Sequence, residues 1–288
     1  MIEPFKSDQE LIEEIRTTTS GPNQVALWWL GQSGLLIKSR HATILIDPYL
    51  SEYLTRKYEH TDKPHIRMTR CPLSPNSLDF IDYVLGSHRH SDHIDPESFA
   101  ALAKASPKAR FVVPESLVRH VQSIGIASDR ITGLEHKTTF QDASRSLQVR
   151  GVKAAHETLD TDEDGKFLYL SFVLEIDGVT LFHSGDTMPY DGQAEEIGSP
   201  VDLAFLPVNG RDPSRRVAGN MNSAQAVELA NQIQARLLVP HHYDMFTFNT
   251  VNIREFQQAS NWLDSDLRAL IPRCGERFFV ESQEGITN

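Results

Sequence analysis

Three histidines and one aspartate stand together in the segment His88-Arg89-His90-Ser91-Asp92-His93, directly after an apolar run at Tyr83–Gly86 that predicts a buried strand. In an extended segment, side chains two residues apart point the same way, so His88 and His90 can converge on one metal ion. The turn that follows can direct Asp92 and His93 towards a second ion. Imidazole and carboxylate groups are the ligands expected for zinc, manganese or divalent iron. Closely packed titratable groups repel one another or require partners, so a metal motif is favoured over a purely structural cluster.

Further ligands are required, because these four side chains cannot complete the coordination shells of two ions. Candidates follow other apolar runs of the chain. His156 ends the run Leu147–Ala155, and Asp186 follows the predicted strand Val179–His183. His241 and His242 follow Leu237–Pro240. Each of these residues has an ordinary structural explanation on its own, but their shared position after apolar strands favours a metal site.

The rest of the chain predicts many short strands with helices inserted between them, which favours two packed sheets covered by helices. Further strands are predicted at Val25–Leu30, Gly34–Lys38, Thr43–Ile46, Arg110–Val113, Leu147–Ala154, Tyr169–Ile176, Asp202–Val208 and Ala235–Val239. Helices are predicted within residues 1–20, from Asp95 to about Lys104, and near Glu115–Ile124, Ser223–Ile233 and Asn252–Leu263. We expect one domain over residues 1–288, with an N-terminal extension at residues 1–22 and a loop or lid at residues 50–80.

Composition restricts the partners and the compartment. The formal net charge of −11 would repel a long phosphate backbone, so no nucleic-acid partner is expected. The apolar runs are too short to cross a bilayer, and the N-terminus lacks the apolar stretch of a secretory signal. Cys71 and Cys274 are isolated and predict neither a disulfide framework nor a cysteine-based zinc site. These features favour a cytoplasmic protein without a membrane partner.

Taken together, these motifs resemble the metallo-β-lactamase superfamily, and the resemblance extends from about Val25 to Asp244. It implies an αβ/βα four-layer sandwich with metal ions at one edge of two sheets. In this resemblance, His88, His90 and His156 would hold the first ion, and Asp92, His93 and His242 the second, with Asp186 bridging them. The cofactor would be one or two divalent ions, Mn²⁺ or Zn²⁺, with Fe²⁺ as a third candidate.

Within the superfamily, the chain is similar to the L-ascorbate-6-phosphate lactonase group. The motifs that carry this similarity are Trp28-Trp29-Leu30-Gly31 with Gly34, His90-Ser91-Asp92-His93-Ile94-Asp95, His183-Ser184-Gly185-Asp186, Asn209-Gly210-Arg211-Asp212, Gly219-Asn220-Met221-Asn222 and Pro240-His241-His242-Tyr243-Asp244. Arg89 departs from the pattern, because an acid is common at that position. Relatives in this group tend to be homo-oligomers, which is the assembly that we expect here.

Several residues are predicted to support the ligands or to bind substrate. The resemblance favours His242 over His241 as ligand, which leaves His241 as a candidate for substrate contact or for support of a ligand. Asp47, before Pro48, resembles the acid that orients a metal-bound histidine, although an aspartate that begins a turn is an equal alternative. His183 is a candidate for the same supporting role or an ordinary strand-end histidine. The candidate contacts to an anionic substrate are Asn209, Arg211, Arg215, Arg216, Asn220 and His241.

These assignments imply hydrolysis of a small phosphorylated or anionic metabolite, with a sugar-acid lactone 6-phosphate as the first candidate. Two divalent ions would lower the pKa of a bridging water from about 15.7 towards 7 and so supply hydroxide, while Asp92 or Asp186 relays the proton. A phosphodiesterase or nuclease of the same fold is the second reading, although the net negative charge disfavours long nucleic acids. A non-catalytic scaffold or metal sensor is the third. Redox use of a di-iron site is disfavoured, because that branch carries Glu at the motif position occupied here by His90.

Overall fold

Two seven-stranded mixed sheets form the centre of the computed structural model, which describes residues 1–282. The first sheet contains β1 (Gln24–Gly31), β2 (Gly34–Lys38), β3 (Thr43–Ile46), β4 (Tyr83–Leu85), β5 (Arg110–Pro114), β6 (Ile131–Leu134) and β14 (Arg277–Glu281). The second contains β7 (Thr139–Asp142), β8 (Leu147–Lys153), β9 (Leu170–Ile176), β10 (Val179–His183), β11 (Val201–Pro207), β12 (Ala235–His241) and β13 (Arg268–Ala269).

Within each sheet, antiparallel strands give way to parallel ones. β14, β1, β2 and β3 are antiparallel neighbours, and β3, β4, β5 and β6 continue as parallel neighbours. The second sheet repeats this arrangement, with β7 to β10 antiparallel and β10 to β13 parallel. The parallel strands therefore end at a common edge, from which the connecting loops extend.

Seven α-helices connect or flank the strands in residues 1–282. They are α1 (Asp8–Thr17), α2 (Tyr53–Lys57), α3 (Pro96–Ala105), α4 (Val118–Ser123), α5 (Gln193–Ile197), α6 (Ser223–Gln232) and α7 (Ile253–Ala259). Local sequence explains the start of α3, because Asp95 accepts a hydrogen bond from the Glu97 amide and Pro96 occupies the first turn. Asn222 and Gln225 form a capping box at the start of α6.

The layers are helices, sheet, sheet and helices. Strand β1 contacts a layer on each side, since its buried side chains alternate between the two faces of the first sheet. Val25, Leu27 and Trp29 belong to the core between the sheets, whereas Ala26, Trp28 and Leu30 pack with α1, α3 and α4. On the other side, Val227 of α6 and Phe256 of α7 join the core that contains the second sheet. The expected αβ/βα four-layer sandwich is confirmed.

The N-terminal extension packs on the outer side of the first sheet. Leu11 and Ile15 of α1 are fully buried there. Glu14 of the same helix accepts hydrogen bonds from Lys6 Nζ at 2.5 Å and from Trp28 Nε1 at 2.9 Å. Burial raises the pKa of Glu14, but these hydrogen bonds outweigh it and hold the pKa below its ordinary value. The carboxylate of Glu14 therefore fastens the extension to β1.

The structure differs from the sequence-based expectations mainly at short or edge elements. The edge strands β6, β7, β13 and β14 and the short helices α2 and α5 were not expected, because they contain few consecutive apolar residues or lie at a sheet edge. The helix predicted near Glu115–Ile124 begins with a 3₁₀ turn at Glu115–Leu117 before α4. The one predicted near Asn252–Leu263 continues from α7 as a 3₁₀ turn at Ser260–Trp262. No helix within residues 1–282 is long and apolar enough to cross a membrane.

Candidate metal centre

The histidines and aspartates predicted as metal ligands lie at the edge where the strands of both sheets end. His88 follows β4, Asp186 follows β10, and His242 follows β12. β8, which precedes His156, runs in the same direction as β10, because both are antiparallel to β9 between them. Carboxyl ends of such strands meet at one edge of a sheet, which is where ligands bind in many α/β folds. The topology thus brings together side chains that are far apart in sequence.

His88, His90 and His156 form the first cluster, and their donor nitrogens lie within 4.8 Å of one another. His90 Nδ1 is 3.0 Å from His88 Nε2 and 3.2 Å from His156 Nε2. The Nδ1 of His156 lies 3.0 Å from the Gly219 carbonyl oxygen and donates to it. Because Nδ1 carries the proton, Nε2 of His156 presents its lone pair to the cluster.

Asp92, His93 and His242 form the second cluster, again with donor atoms within 4.8 Å. Asp186 lies between the clusters, since it also forms a close group with His88 and His93. Its Oδ1 is 2.9 Å from His242 Nε2 and 3.3 Å from His93 Nε2, and its Oδ2 is 3.7 Å from His156 Nε2. The seven side chains predicted as ligands are therefore together in the structure, in the grouping that the resemblance implied.

The contacts inside the second cluster fit a bound cation better than a hydrogen-bond network. The buried atoms His93 Nε2, His242 Nε2 and Asp186 Oδ1 have no hydrogen-bond partner within residues 1–282, despite their short separations. The two nitrogens approach Asp186 Oδ1 at 2.9 and 3.3 Å without forming a hydrogen bond of ordinary geometry. Leaving several buried polar atoms unpaired is costly, and a divalent cation between them would satisfy all three. The donor set therefore fits one or two divalent metal ions.

The histidines of the first cluster are held neutral. Burial, followed by repulsion from His156, lowers the pKa of His90 to about 4. Burial also lowers the pKa of His88 well below its ordinary value, and the neighbouring His93 adds to the effect. Burial likewise lowers the pKa of His156. Neutral imidazole is the form that binds a metal ion, so this cluster is prepared for coordination.

The carboxylates keep their charge although they are buried. Burial raises the pKa of Asp186, but the charges of His242 and His93 outweigh it and hold the pKa well below the ordinary value. The same two histidines outweigh burial at Asp92 and lower its pKa. The pKa of His93 is raised well above its usual value, because the attraction of Asp186 and Asp47 exceeds the effect of burial. Two ionised carboxylates that face imidazoles attract a divalent cation. The cation would replace the proton that the raised pKa of His93 favours.

The carboxylate of Asp47 contacts the ring of His93. Its Oδ2 is 2.6 Å from His93 Nδ1 and also accepts a hydrogen bond from Ser87 Oγ at 2.6 Å. Its Oδ1 accepts from the Ser87 amide at 2.7 Å. A carboxylate in this position keeps the proton on Nδ1 and leaves Nε2 of His93 for the ion.

Gln32 holds the second cluster and was not found from the sequence. Its Nε2 donates to Asp92 Oδ2 at 2.7 Å, and its carbonyl oxygen accepts from the His242 amide at 3.3 Å. The residue is fully buried with φ +50°, an unusual backbone conformation for glutamine. The signal available in the sequence was the position of Gln32 between Gly31 and Gly34, directly after the motif that ends at Gly31.

His183 and His241 do not touch the predicted ligands through their hydrogen bonds. His183 Nε2 donates to the Ser33 carbonyl at 2.9 Å, and its Nδ1 accepts from the Gly185 amide at 3.1 Å. His183 is thus a strand-end histidine with both nitrogens paired, and it braces the turn before Asp186. His241 is fully buried, with Nδ1 3.1 Å from Ser33 Oγ and its ring stacked on Phe205. The structure contradicts a substrate contact by His241.

A cavity of about 980 Å³ opens over the two clusters. His90, Asp92, His156, Asp186 and His242 line it on the metal side. The segment predicted as a lid contributes a wall of Tyr53, Leu54, Lys57, Tyr58 and His65, and residues 116–124 contribute another that includes Leu117, His120 and Ile124. The His65 ring stacks on Tyr58 at 4.2 Å, and its Nδ1 donates to the Lys63 carbonyl at 3.1 Å. His65 was not predicted, because it is a lone histidine in an irregular segment.

Most of the predicted substrate contacts lie outside this cavity. Arg211 pairs with Glu157 at 3.0 Å, and Arg215 donates to the carbonyl oxygens of Asn209 and Thr250. Their guanidinium groups are therefore used to hold loops. The Asn209 side chain donates to Asn249, and the buried Asn220 does not line the cavity.

Arg216 is the exception among these predicted contacts, since it lines the cavity. It also forms an ion pair with Asp62.

The fold and these clusters define a metal-dependent hydrolase of the metallo-β-lactamase fold. The family model described as "Beta-lactamase superfamily domain" matches residues 42–243. The chain belongs to this family.

Relatives and solved structures agree with this assignment. The "Probable L-ascorbate-6-phosphate lactonase UlaG" of Escherichia coli (strain SMS-3-5 / SECEC) is 25% identical, over 82% of this chain and 74% of the relative. The metallo hydrolase Igni18 from Ignicoccus hospitalis is 20% identical with a TM-score of 0.66, covering 90% of this chain and 100% of that one. An isothiocyanate hydrolase from Delia radicum gut bacteria is 18% identical with a TM-score of 0.67, covering 88% and 98%. These two structural likenesses show the fold.

Proposed function

We propose that this protein hydrolyses a small anionic metabolite, with a sugar-acid lactone phosphate as the first candidate substrate. The observation that carries the proposal is the pair of His/Asp clusters at one sheet edge, with buried donor atoms that lack partners in residues 1–282. The name of the 25% identical relatives, probable L-ascorbate-6-phosphate lactonase, supports the lactone phosphate. Manganese and zinc are both candidates for the ion, because His/Asp shells accept either.

Each group of ligands has a place in this proposal. His88, His90 and His156 would hold one ion, and Asp92, His93 and His242 a second, with Asp186 between them. Divalent ions in these positions would supply an acidified water and polarise the bond that is cleaved.

Asp92 is the carboxylate placed to move a proton. Its side chain is 16% exposed and lines the cavity, whereas the side chain of Asp186 is 4% exposed. Gln32 Nε2 holds the Oδ2 of Asp92, which leaves Oδ1 free to receive a proton from water and return it to the leaving group. Asp186, deeper in the site, would serve as a fixed negative charge between the histidines.

Assembly and location remain predictions from the sequence. We propose a homo-oligomer in the cytoplasm without nucleic-acid or membrane partners.

The test is hydrolysis by protein reconstituted with zinc or manganese separately. L-ascorbate-6-phosphate is compared with a simple lactone and with bis(p-nitrophenyl) phosphate. His90→Ala is the test variant, and His41→Ala, a half-exposed histidine outside the cavity, is the matched control. We expect preferential turnover of the lactone phosphate that is lost in His90→Ala and kept in His41→Ala.

Two other results would each contradict this proposal. Turnover of the phosphodiester alone would assign the protein to the phosphodiesterase or nuclease branch. Stoichiometric metal without turnover of any substrate would favour a non-catalytic metal-binding protein.

A further inference from the structure

The charged side chains on the cavity walls, apart from the candidate metal ligands, are opposite in sign to the net charge of the protein. The chain has 39 acidic residues against 28 lysines and arginines. Within residues 1–282, however, the acids that line the cavity are Asp92 and Asp186, both of them candidate metal ligands. The other charged residues along its walls are Lys57, Arg89 and Arg216. Apart from the two candidate ligands, the charged side chains of the walls are all cationic, and cationic walls concentrate anions.

The three cationic side chains differ in the partners that they already contact. Arg216 is paired with Asp62. The Nζ of Lys57 lies 5.7 Å from the ring centre of Tyr53 and 5.2 Å from that of Tyr58. Arg89 is exposed and makes no hydrogen bond or ion pair within residues 1–282. A guanidinium offers five donors in a planar fork that matches phosphate and carboxylate, and at Arg89 all of them remain available.

Arg89 lines the cavity but is not one of the candidate metal ligands. It stands between His88 and His90, whose side chains converge on the first cluster. The chain bends at Arg89 and His90, and the exposed Arg89 lines the cavity. His120 lines the same cavity, and its pKa is lowered first by burial and then by the charge of Arg89. Arg89 therefore shares the cavity with the wall formed by residues 116–124 and belongs to neither ligand cluster.

We propose that Arg89 binds an anionic group of the substrate, a phosphate or a carboxylate, that lies apart from the bond cleaved at the metal centre. The identity of that bond rests on the proposed function, but the binding of the anion does not. Arg89 thereby replaces Arg211 and Arg215 as the anion contact. Arg216, already paired with an acid, has the smaller share.

Three compounds with the same six-carbon chain provide the test. D-gluconate, D-glucarate and 6-phospho-D-gluconate share the carboxylate at carbon 1 and differ at carbon 6, which carries a hydroxyl, a carboxylate or a phosphate. Binding to the zinc-loaded full chain is measured by isothermal titration calorimetry. The variants are Arg89→Ala, Arg89→Lys and, as matched control, Arg119→Ala, an exposed arginine of α4 that does not line the cavity.

We expect wild type to bind at least one of the two carbon-6 anions about tenfold or more tightly than D-gluconate, which is about 1.4 kcal/mol. Arg89→Ala should abolish this preference, so that the carbon-6 anions bind no more tightly than D-gluconate. Arg89→Lys should keep part of it, because lysine retains the charge but not the fork. Arg119→Ala should behave as wild type. The carbon-6 anion that binds more tightly shows whether phosphate or carboxylate is the group recognised.

The proposal is overturned if wild type shows no preference for either anion, or if Arg89→Ala retains it. Because Arg89 lies between two candidate ligands, the zinc content of each variant is measured, and equal content shows that the metal centre is intact. If Arg89→Ala loses zinc, a further variant, Arg89→Glu, is measured beside Arg89→Lys. A full preference in both variants with intact zinc overturns the proposal. Failure of the proposed function has a different signature, namely an Arg89-dependent preference without hydrolysis of L-ascorbate-6-phosphate or of the simple lactone.

Discussion

Replacing Asp47 with asparagine tests how the candidate ligand His93 is held. In wild type, both oxygens of the Asp47 side chain accept hydrogen bonds, and Oδ2 lies 2.6 Å from His93 Nδ1. An asparagine that keeps its oxygen on the Ser87 amide must present its NH₂ group to His93. That group donates to Nδ1 and moves the proton of the imidazole to Nε2, the nitrogen required for the ion.

The expected effect is a tenfold to hundredfold loss of metal affinity at the second cluster, about 1.4 to 2.8 kcal/mol. Because the imidazole of His93 would carry its proton on Nε2, the nitrogen that the ion requires, we expect a loss of metal affinity near hundredfold. Metal affinity is measured by competition with a chromophoric chelator, and metal content by mass spectrometry after dialysis.

Asp177→Asn is a matched control for this substitution. Asp177 is also buried and has φ +49°, compared with +47° at Asp47, so asparagine fits both backbones equally. Its Oδ2 accepts from the Arg40 amide at 3.0 Å, outside the metal centre. Wild-type affinity in both variants would refute the orienting role of Asp47.

Three further substitutions test packing, charge and ligand support. Gly86→Ala should lower the free energy of unfolding by about 1 to 3 kcal/mol in urea denaturation, because the added Cβ would lie 2.5 Å from Ile94 Cγ1; unchanged stability would contradict this packing. Glu14→Gln should destabilise the protein at pH 7, where the lowered pKa of Glu14 contributes stability. That difference should disappear as the pH falls from about 4.3 through the lower folded pKa, and a constant difference down to pH 2 would contradict the ion pair. Gln32→Leu should weaken metal binding about tenfold, whereas Gln122→Leu on α4 should not; equal affinities in the two variants would exclude support by Gln32.

The central strands could be predicted from sequence, because burial on both faces produces continuous apolar runs. Thr43–Ile46 and Val179–His183 were predicted with the bounds that the structure gives. Edge strands escaped prediction because only part of their surface is buried. β7 shows this, since its residues at positions 139 to 142 include a single buried side chain, and β13 has only two residues.

The assembly of the candidate metal centre followed from one rule of topology. His88, Asp186 and His242 each come after an apolar strand, and parallel strands end at a common edge, so their proximity could be anticipated without a structure. The direction of long, flexible side chains could not. Arg211 and Arg215 are close in sequence and suggested an anion clamp, but local acids and carbonyl groups bind their guanidinium groups.

Contacts between residues that are far apart in the sequence also could not be predicted. Gln32 reaches Asp92, 60 residues away, and a neutral amide in a turn carries no metal-binding signal of its own. Arg89 was visible only as a departure from a family pattern. Its lack of an acidic partner became apparent when the cavity walls were known.

Anomalous diffraction from crystals of the zinc-loaded protein tests most directly whether one divalent ion binds in each of the two clusters. We predict two anomalous peaks, one in contact with His88, His90 and His156 and the other with Asp92, His93 and His242, with Asp186 reaching both. The absence of anomalous density at this sheet edge, or zinc bound only at other sites, would contradict the claim.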